Sequence, residues 1–130
     1  MMTQLNIPAT EKTPSIRFDP ANDFFEIKGV SLPVEAEQFY SPIIEWVKNY
    51  IVDAQKKTKL MVDLQYFNIS SSKQLLDIFF QLKRLIGLEK QVLIEWLYDS
   101  EEEDLLEMGQ DYEFMVGIPF KYTEHQLITK

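Results

Sequence analysis

Apolar and polar residues alternate through Ser15-Ile16-Arg17-Phe18-Asp19 and, after the turn-forming Pro20-Ala21-Asn22-Asp23, an extended pattern resumes at Phe24-Phe25-Glu26-Ile27-Lys28. A period of two on either side of turn residues predicts an N-terminal hairpin with one buried face. Gly29 is expected to end it. Ser31-Leu32-Pro33 then leads into a helical stretch from about Val34 to Ala54, in which Phe39, Ile43, Trp46, Val47 and Tyr50 recur at three- and four-residue spacing. Pro42 complicates that helix, because proline lacks an N–H and clashes with the preceding turn. Either the helix kinks there, or it starts at Ser41 with Pro42 in its first turn.

Lys56-Lys57-Thr58-Lys59 reads as a solvated turn, and Lys59 to Phe67 as a strand with an apolar majority, as in a central strand covered on both faces. From Ser71 onward Leu75, Leu76, Ile78, Phe79, Leu82, Leu85 and Ile86 form a second amphipathic helix ending near Gly87. Gln91 to Tyr98 is another extended run. Asp99 or Ser100 is expected to cap a third, acidic helix with Leu105, Leu106 and Met108 on its apolar side, and Phe120 to Thr123 to form a last edge strand. The predicted order β-β-α-β-α-β-α-β is an α/β fold: a small mixed sheet with an N-terminal hairpin and about three helices packed against it, joined by right-handed crossovers. At 130 residues and 45% hydrophobic content, one domain over 1–130 is expected.

Composition removes several classes of function. The formal charge of −8, from 21 acidic and 13 basic residues, opposes nucleic acid and anionic lipid as partners. No run reaches the roughly 18 apolar residues of a spanning helix, and Met1-Met2-Thr3-Gln4 does not resemble a signal peptide, so a soluble, cytoplasmic protein is expected. Zero cysteines exclude disulfides and thiolate chemistry. The single histidine, His125, has no evident base or nucleophile partner, and Asp63 and Asp77 fall on different predicted elements. The carboxylates of Glu101-Glu102-Glu103-Asp104 spread around a helix instead of converging on a cation. With four glycines there is no phosphate-cradling loop. We therefore expect no catalytic residues, no metal site and no cofactor. Trp46 and Trp96 are assigned to the core; Phe79 is assigned inward, and Phe80 toward partial exposure.

The segment Asn68-Ile69-Ser70-Ser71-Ser72-Lys73 places three hydroxyls and a lysine where a strand hands over to a helix. Such a junction leaves N–H groups without intrahelical acceptors, which a serine oxygen or a phosphate satisfies. Ser71 with Gln74 has the S-x-x-Q spacing of a capping box. On the residues alone, structural capping outweighs regulation.

Thr13-Pro14, Phe39-Tyr40-Ser41-Pro42-Ile43-Ile44-Glu45-Trp46 and, most specifically, Tyr66-Phe67-Asn68-Ile69-Ser70-Ser71-Ser72-Lys73-Gln74-Leu75-Leu76-Asp77-Ile78-Phe79 resemble the SiaC family of bacterial regulatory phosphoproteins over nearly the whole chain. That family is similar to the STAS-type anti-sigma-factor antagonists, so the resemblance implies a STAS-like domain acting by phosphorylation-dependent partner switching. It implies three partners: a protein kinase, a PP2C-type phosphatase and a diguanylate cyclase as target. Two departures stand out. Where the family commonly has a phosphoacceptor Thr after the Asn, this chain has Ile69, and Leu32-Pro33-Val34 replaces Tyr-Pro-Glu.

In the STAS class the acceptor serine lies two residues after an Asp. Matching Asn68 to that Asp selects Ser70, with Ser71 as the second candidate. The resemblance thus reverses the preference for capping where Ser70 and Ser71 are taken as a pair. Tyr66, Asn68, Ile69, Ser72, Lys73 and Phe80 complete the expected partner-binding surface, with the exposed side of the helix from Leu75 to Leu85. The alternatives are a constitutive binder that has lost phosphorylation and a small-ligand-binding or structural STAS-like module. An enzyme with converging carboxylates is the weakest competitor.

Overall fold

The computed structural model describes residues 3–125. Six strands form one sheet in sequential order: β1 (Leu5–Ile7), β2 (Ser15–Asp19), β3 (Phe24–Ser31), β4 (Lys57–Phe67), β5 (Gln91–Tyr98) and β6 (Phe120–Glu124). The first three pair antiparallel and the last four parallel. Between the parallel strands run α1 (Ala36–Val52), α2 (Ile69–Gly87) and α3 (Glu103–Val116). The predicted hairpin is β2–β3, with Ile16 opposite Ile27 and Phe18 opposite Phe25. The short strand β1 was not anticipated.

The core lies between the sheet and the helices. Ile16, Phe18, Phe25, Ile27, Leu60, Val62, Ile94 and Trp96 project from the strands to meet Tyr40, Ile43, Tyr50, Leu75, Ile78, Phe79 and Tyr112. The aromatic contacts fix that side: Phe25 meets Tyr50 of α1, while Trp96 meets Tyr112 of α3. Strand side chains alternate between faces, so Lys59, Met61 and Asp63 of β4 lie on the face away from this core, exposed or half-buried. This corrects the expectation that β4 is covered on both faces. Its apolar run reflects Met61, which is half-buried among neighbouring strands without a helix above it.

Five local expectations also change. Lys57 and Thr58, expected in the turn, belong to β4 itself, since their backbone pairs with Gln91 and Val92 of β5. Pro42 lies two turns inside α1, so that helix does not start at Ser41. Pro42 and Gln38 are both exposed, so the carbonyl that loses its usual donor lies on the solvent side. Gly29 does not end β3, whose strand continues to Ser31 through a positive φ of 124° that glycine accepts without strain. Asp99 does not cap a helix: its Oδ1 accepts from the Glu101 N–H in a turn, and α3 begins at Glu103. The apolar side of α3 is Leu105, Gly109, Tyr112 and Val116, whereas Met108 is exposed.

Candidate protein-docking and modification site

The junction between β4 and α2 takes its shape from an irregularity at the end of the strand. Gly29 pairs with Leu64 but Val30 pairs with Tyr66, so Gln65 is an extra residue in β4. A bulge of this kind re-aims the side chains that follow it. Gln65 and Tyr66 are consequently both exposed, and Tyr66 stands beside the start of α2 with 62% of its surface open.

Asn68 is the cap of α2. Its N–H donates to the Ser31 carbonyl at 3.1 Å, and its side-chain Oδ1 accepts from the Ser71 N–H at 2.8 Å. Its carbonyl receives the first helical bond, from Ser72. The cap is therefore Asn68, not Ser71 with Gln74, because the helix starts at Ile69, two residues before the sequence pattern suggests. The N–H groups of Ile69 and Ser70, in the first turn, have no intrahelical acceptor.

The three serines have different surroundings. Ser71 is fully buried. Its Oγ donates to the Ser31 carbonyl at 3.0 Å and accepts from Ser31 Oγ at 2.8 Å. With the Ser31 proton so committed, the Tyr40 hydroxyl donates to Ser31 Oγ across 2.5 Å. Burial raises the Tyr40 pKa, partly offset by its hydrogen bonds to Ser31 and Ser71. Ser72 is half-buried: Tyr112 donates to its carbonyl at 3.0 Å, and Ser72 Oγ lies 2.7 Å from the Tyr112 oxygen. Burial pushes the Tyr112 pKa up to about 12. Ser70, by contrast, is exposed at the second position of the helix, and Lys73 is exposed one turn later.

Tyr66, Asn68, Ile69, Ser70, Ser72 and Lys73 thus gather at one end of the sheet. Ile69 is 78% exposed, a large apolar side chain facing solvent beside the exposed serine. Phe80 is also exposed, on the same stripe of α2 as Ile69 and Lys73 but roughly 16 Å farther along the axis at about 1.5 Å per residue. Between α2 and α3 runs a groove of about 210 Å³ lined by Phe67, Ile69, Met108, Asp111 and Met115 among others. The sequence pattern placed Met108 on the apolar side of α3 and did not single out Met115. Their seven-residue spacing marks one face of α3, but only the packing of α3 against α2 brings that face beside Ile69.

The remaining candidates lie elsewhere. Trp46 and Trp96 are buried, and Phe79 is fully buried. His125 Nε2 lies 2.7 Å from Asp63 Oδ1 on the open sheet face, while Asp77 is on α2 and its Oδ1 contacts Gln81. Leu32 and Val34 are exposed. Among the described residues no cluster of three or more His, Asp or Glu side chains is placed to hold a metal, and no helix is long and apolar enough to cross a membrane.

Comparison with known proteins agrees with this geometry along almost the full chain. An uncharacterized protein of Pseudomonas aeruginosa (strain UCBPP-PA14) is 29% identical over 124 residues, covering 95% of this chain and 98% of its own. The structure of SiaC of Pseudomonas aeruginosa superposes with a TM-score of 0.86 at 28% identity, covering 95% of this chain and all of that one. A further match is the crystal structure of the diguanylate cyclase SiaD in complex with its activator SiaC from Pseudomonas aeruginosa, with a TM-score of 0.86, 29% identity, and coverage of 93% of this chain and 99% of that one. The model of the SiaC family regulatory phosphoproteins matches residues 7–125, and the chain belongs to that family, as a regulatory protein and not an enzyme.

Proposed function

We propose that this protein binds and controls a diguanylate cyclase through the β4–α2 junction, and that phosphorylation of Ser70 by a protein kinase breaks that contact until a PP2C-type phosphatase restores it. The observation that carries the proposal is the contrast between neighbouring serines. Ser70 is exposed among the apolar groups a partner would cover, whereas Ser71 is enclosed in the Tyr40–Ser31 hydrogen-bond chain. A kinase reaches Ser70 without opening the fold. We place the protein in the cytoplasm, a reading supported by its lack of cysteines.

The electrostatics favour exclusion of the partner over a change of fold. A phosphoserine adds about −1.5 to −2 charges and three acceptor oxygens. At Ser70 those oxygens have the free N–H groups of the first turn and, three residues on, the exposed Lys73 side chain, so the phosphorylated domain remains folded. A partner seated on Tyr66, Ile69 and Met115 instead meets a dianion, and such a mismatch costs several kcal/mol. Incubation with the cognate kinase and ATP, followed by mass spectrometry, is expected to place the phosphate on Ser70. Phosphate on no serine of this segment would sink the switch. Ile69, in the position where the family commonly has its acceptor threonine, favours the second reading, in which the same surface binds its target constitutively.

A further inference from the structure

The opposite end of the sheet holds a cleft that the regulatory reading leaves unused. The starts of β4 and β5, the last turn of α2 and Pro119 before β6 line an open cleft of about 750 Å³, within the size range of small-molecule sites. Apolar Ile86, Val92, Leu93 and Pro119 share its lining with Lys57, Lys59 and Lys90 and with one acid, Asp23. Ile86 is 43% exposed, although it continues the apolar face of α2.

Three ammonium groups around one cleft stand out in a chain of net charge −8. Two of them are held in place. Lys59 Nζ lies 3.3 Å from Glu95 Oε1, and Lys90 Nζ donates to the Ala54 carbonyl at 2.5 Å. Lys57 is exposed, with no charged partner among the described residues. The overall negative charge repels an extended polyanion, but a single anionic head group experiences mainly the local field, which low-dielectric walls concentrate. Lysines alone would accept any anion, and the apolar lining alone any apolar molecule. Their combination selects a ligand with both features.

We propose that this cleft binds a small anionic amphiphile, its apolar body on Ile86, Leu93 and Pro119 and its phosphate or carboxylate head among Lys57, Lys59 and Lys90. The site is independent of the switch: Ile86 and Ile69 lie at opposite ends of α2, roughly 26 Å apart at about 1.5 Å per residue. Ligand and protein partner therefore bind together.

The test is an amide chemical-shift titration of the full chain with octyl phosphate below its micellar concentration. Saturable shifts are expected at residues 57–59 and 86–93, while neutral octyl glucoside and inorganic phosphate bind at least tenfold more weakly. Lys57→Glu should weaken octyl phosphate at least fivefold with an unchanged melting temperature, because that side chain is exposed and unpaired among the described residues. Equal binding of octyl glucoside, shifts that do not saturate, shifts centred on residues 66–73, or full affinity in Lys57→Glu would each overturn the proposal.

Discussion

Replacing Ser71 by alanine should destabilise the fold by about 2–4 kcal/mol, while the same change at Ser70 should be nearly silent. In the folded protein three hydroxyl protons, from Tyr40, Ser31 and Ser71, are directed at three acceptors: Ser31 Oγ, Ser71 Oγ and the Ser31 carbonyl. Ser71→Ala deletes one proton and one acceptor. The carbonyl keeps its bond from Asn68 N–H, but one of the two remaining hydroxyl protons is left buried without a partner. Losing the net contribution of a hydrogen bond costs about 1 kcal/mol, and stranding a buried donor adds about 1–3 kcal/mol. Ser31 and Ser71 both have 0% exposure, so water does not rescue them. Ser70 is exposed, and surface substitutions of that kind fall within about 0.5 kcal/mol of neutral. Urea unfolding followed by circular dichroism reads both variants, with the slope m expected to be unchanged. The pair Ser31→Ala and Ser71→Ala should also be sub-additive, since removing both hydroxyls strands fewer groups than the two single changes together. A Ser71→Ala protein as stable as wild type, or a Ser70→Ala protein as damaged as Ser71→Ala, would refute the division of labour between the serines.

Three further outcomes are expected. A Cβ built at Gly109 lies 2.7 Å from Trp96 Cδ1, against a rigid indole whose Nε1 donates to the Leu105 carbonyl; Gly109→Ala should therefore cost about 1–3 kcal/mol and shift the tryptophan emission. The hydrogen bond from Thr123, followed by Lys59, lowers the Glu95 pKa below 4.5 despite partial burial. A depressed folded-state pKa means that Glu95 contributes stability above its unfolded value and loses that contribution as pH falls below about 4.5, so Glu95→Gln should flatten the acid limb of a stability–pH curve. Met115 is 50% exposed in the groove beside Ile69; Met115→Asp should reduce cyclase affinity at least tenfold, or about 1.4 kcal/mol, at nearly unchanged urea midpoint, as titration calorimetry would show.

The elements with clear periodicity were legible in the chain. Ile16 and Phe18 face Ile27 and Phe25 as alternation requires, and α2 ends at Gly87 as the pattern indicates. Features that depend on tertiary pairing were not. Leu5-Asn6-Ile7 is too short to give a strand period and becomes one only by pairing with β2. Asp99-Ser100 has the chemistry of a helix cap, but its local turn satisfies the Glu101 N–H before the helix starts. At the candidate site, the contiguous run from Tyr66 to Lys73 was visible as a junction. The burial of Ser71 was not, because Ser31 is forty residues away and reaches it only through the β3–β4 pairing. The same reason hid the exposure of Met108 and Met115 beside Ile69, which follows from the docking of Gly109 and Tyr112 on Trp96.

The central claim is that an anionic group at Ser70 excludes the target while sparing the fold. Its most direct test is the affinity of Ser70→Asp for the cognate diguanylate cyclase, measured by titration calorimetry beside Ser70→Ala and wild type, with thermal unfolding of all three. The account predicts binding weakened at least tenfold for Ser70→Asp, wild-type binding for Ser70→Ala, and similar melting temperatures. Wild-type affinity in Ser70→Asp, or a loss of affinity that tracks a loss of stability, would contradict it.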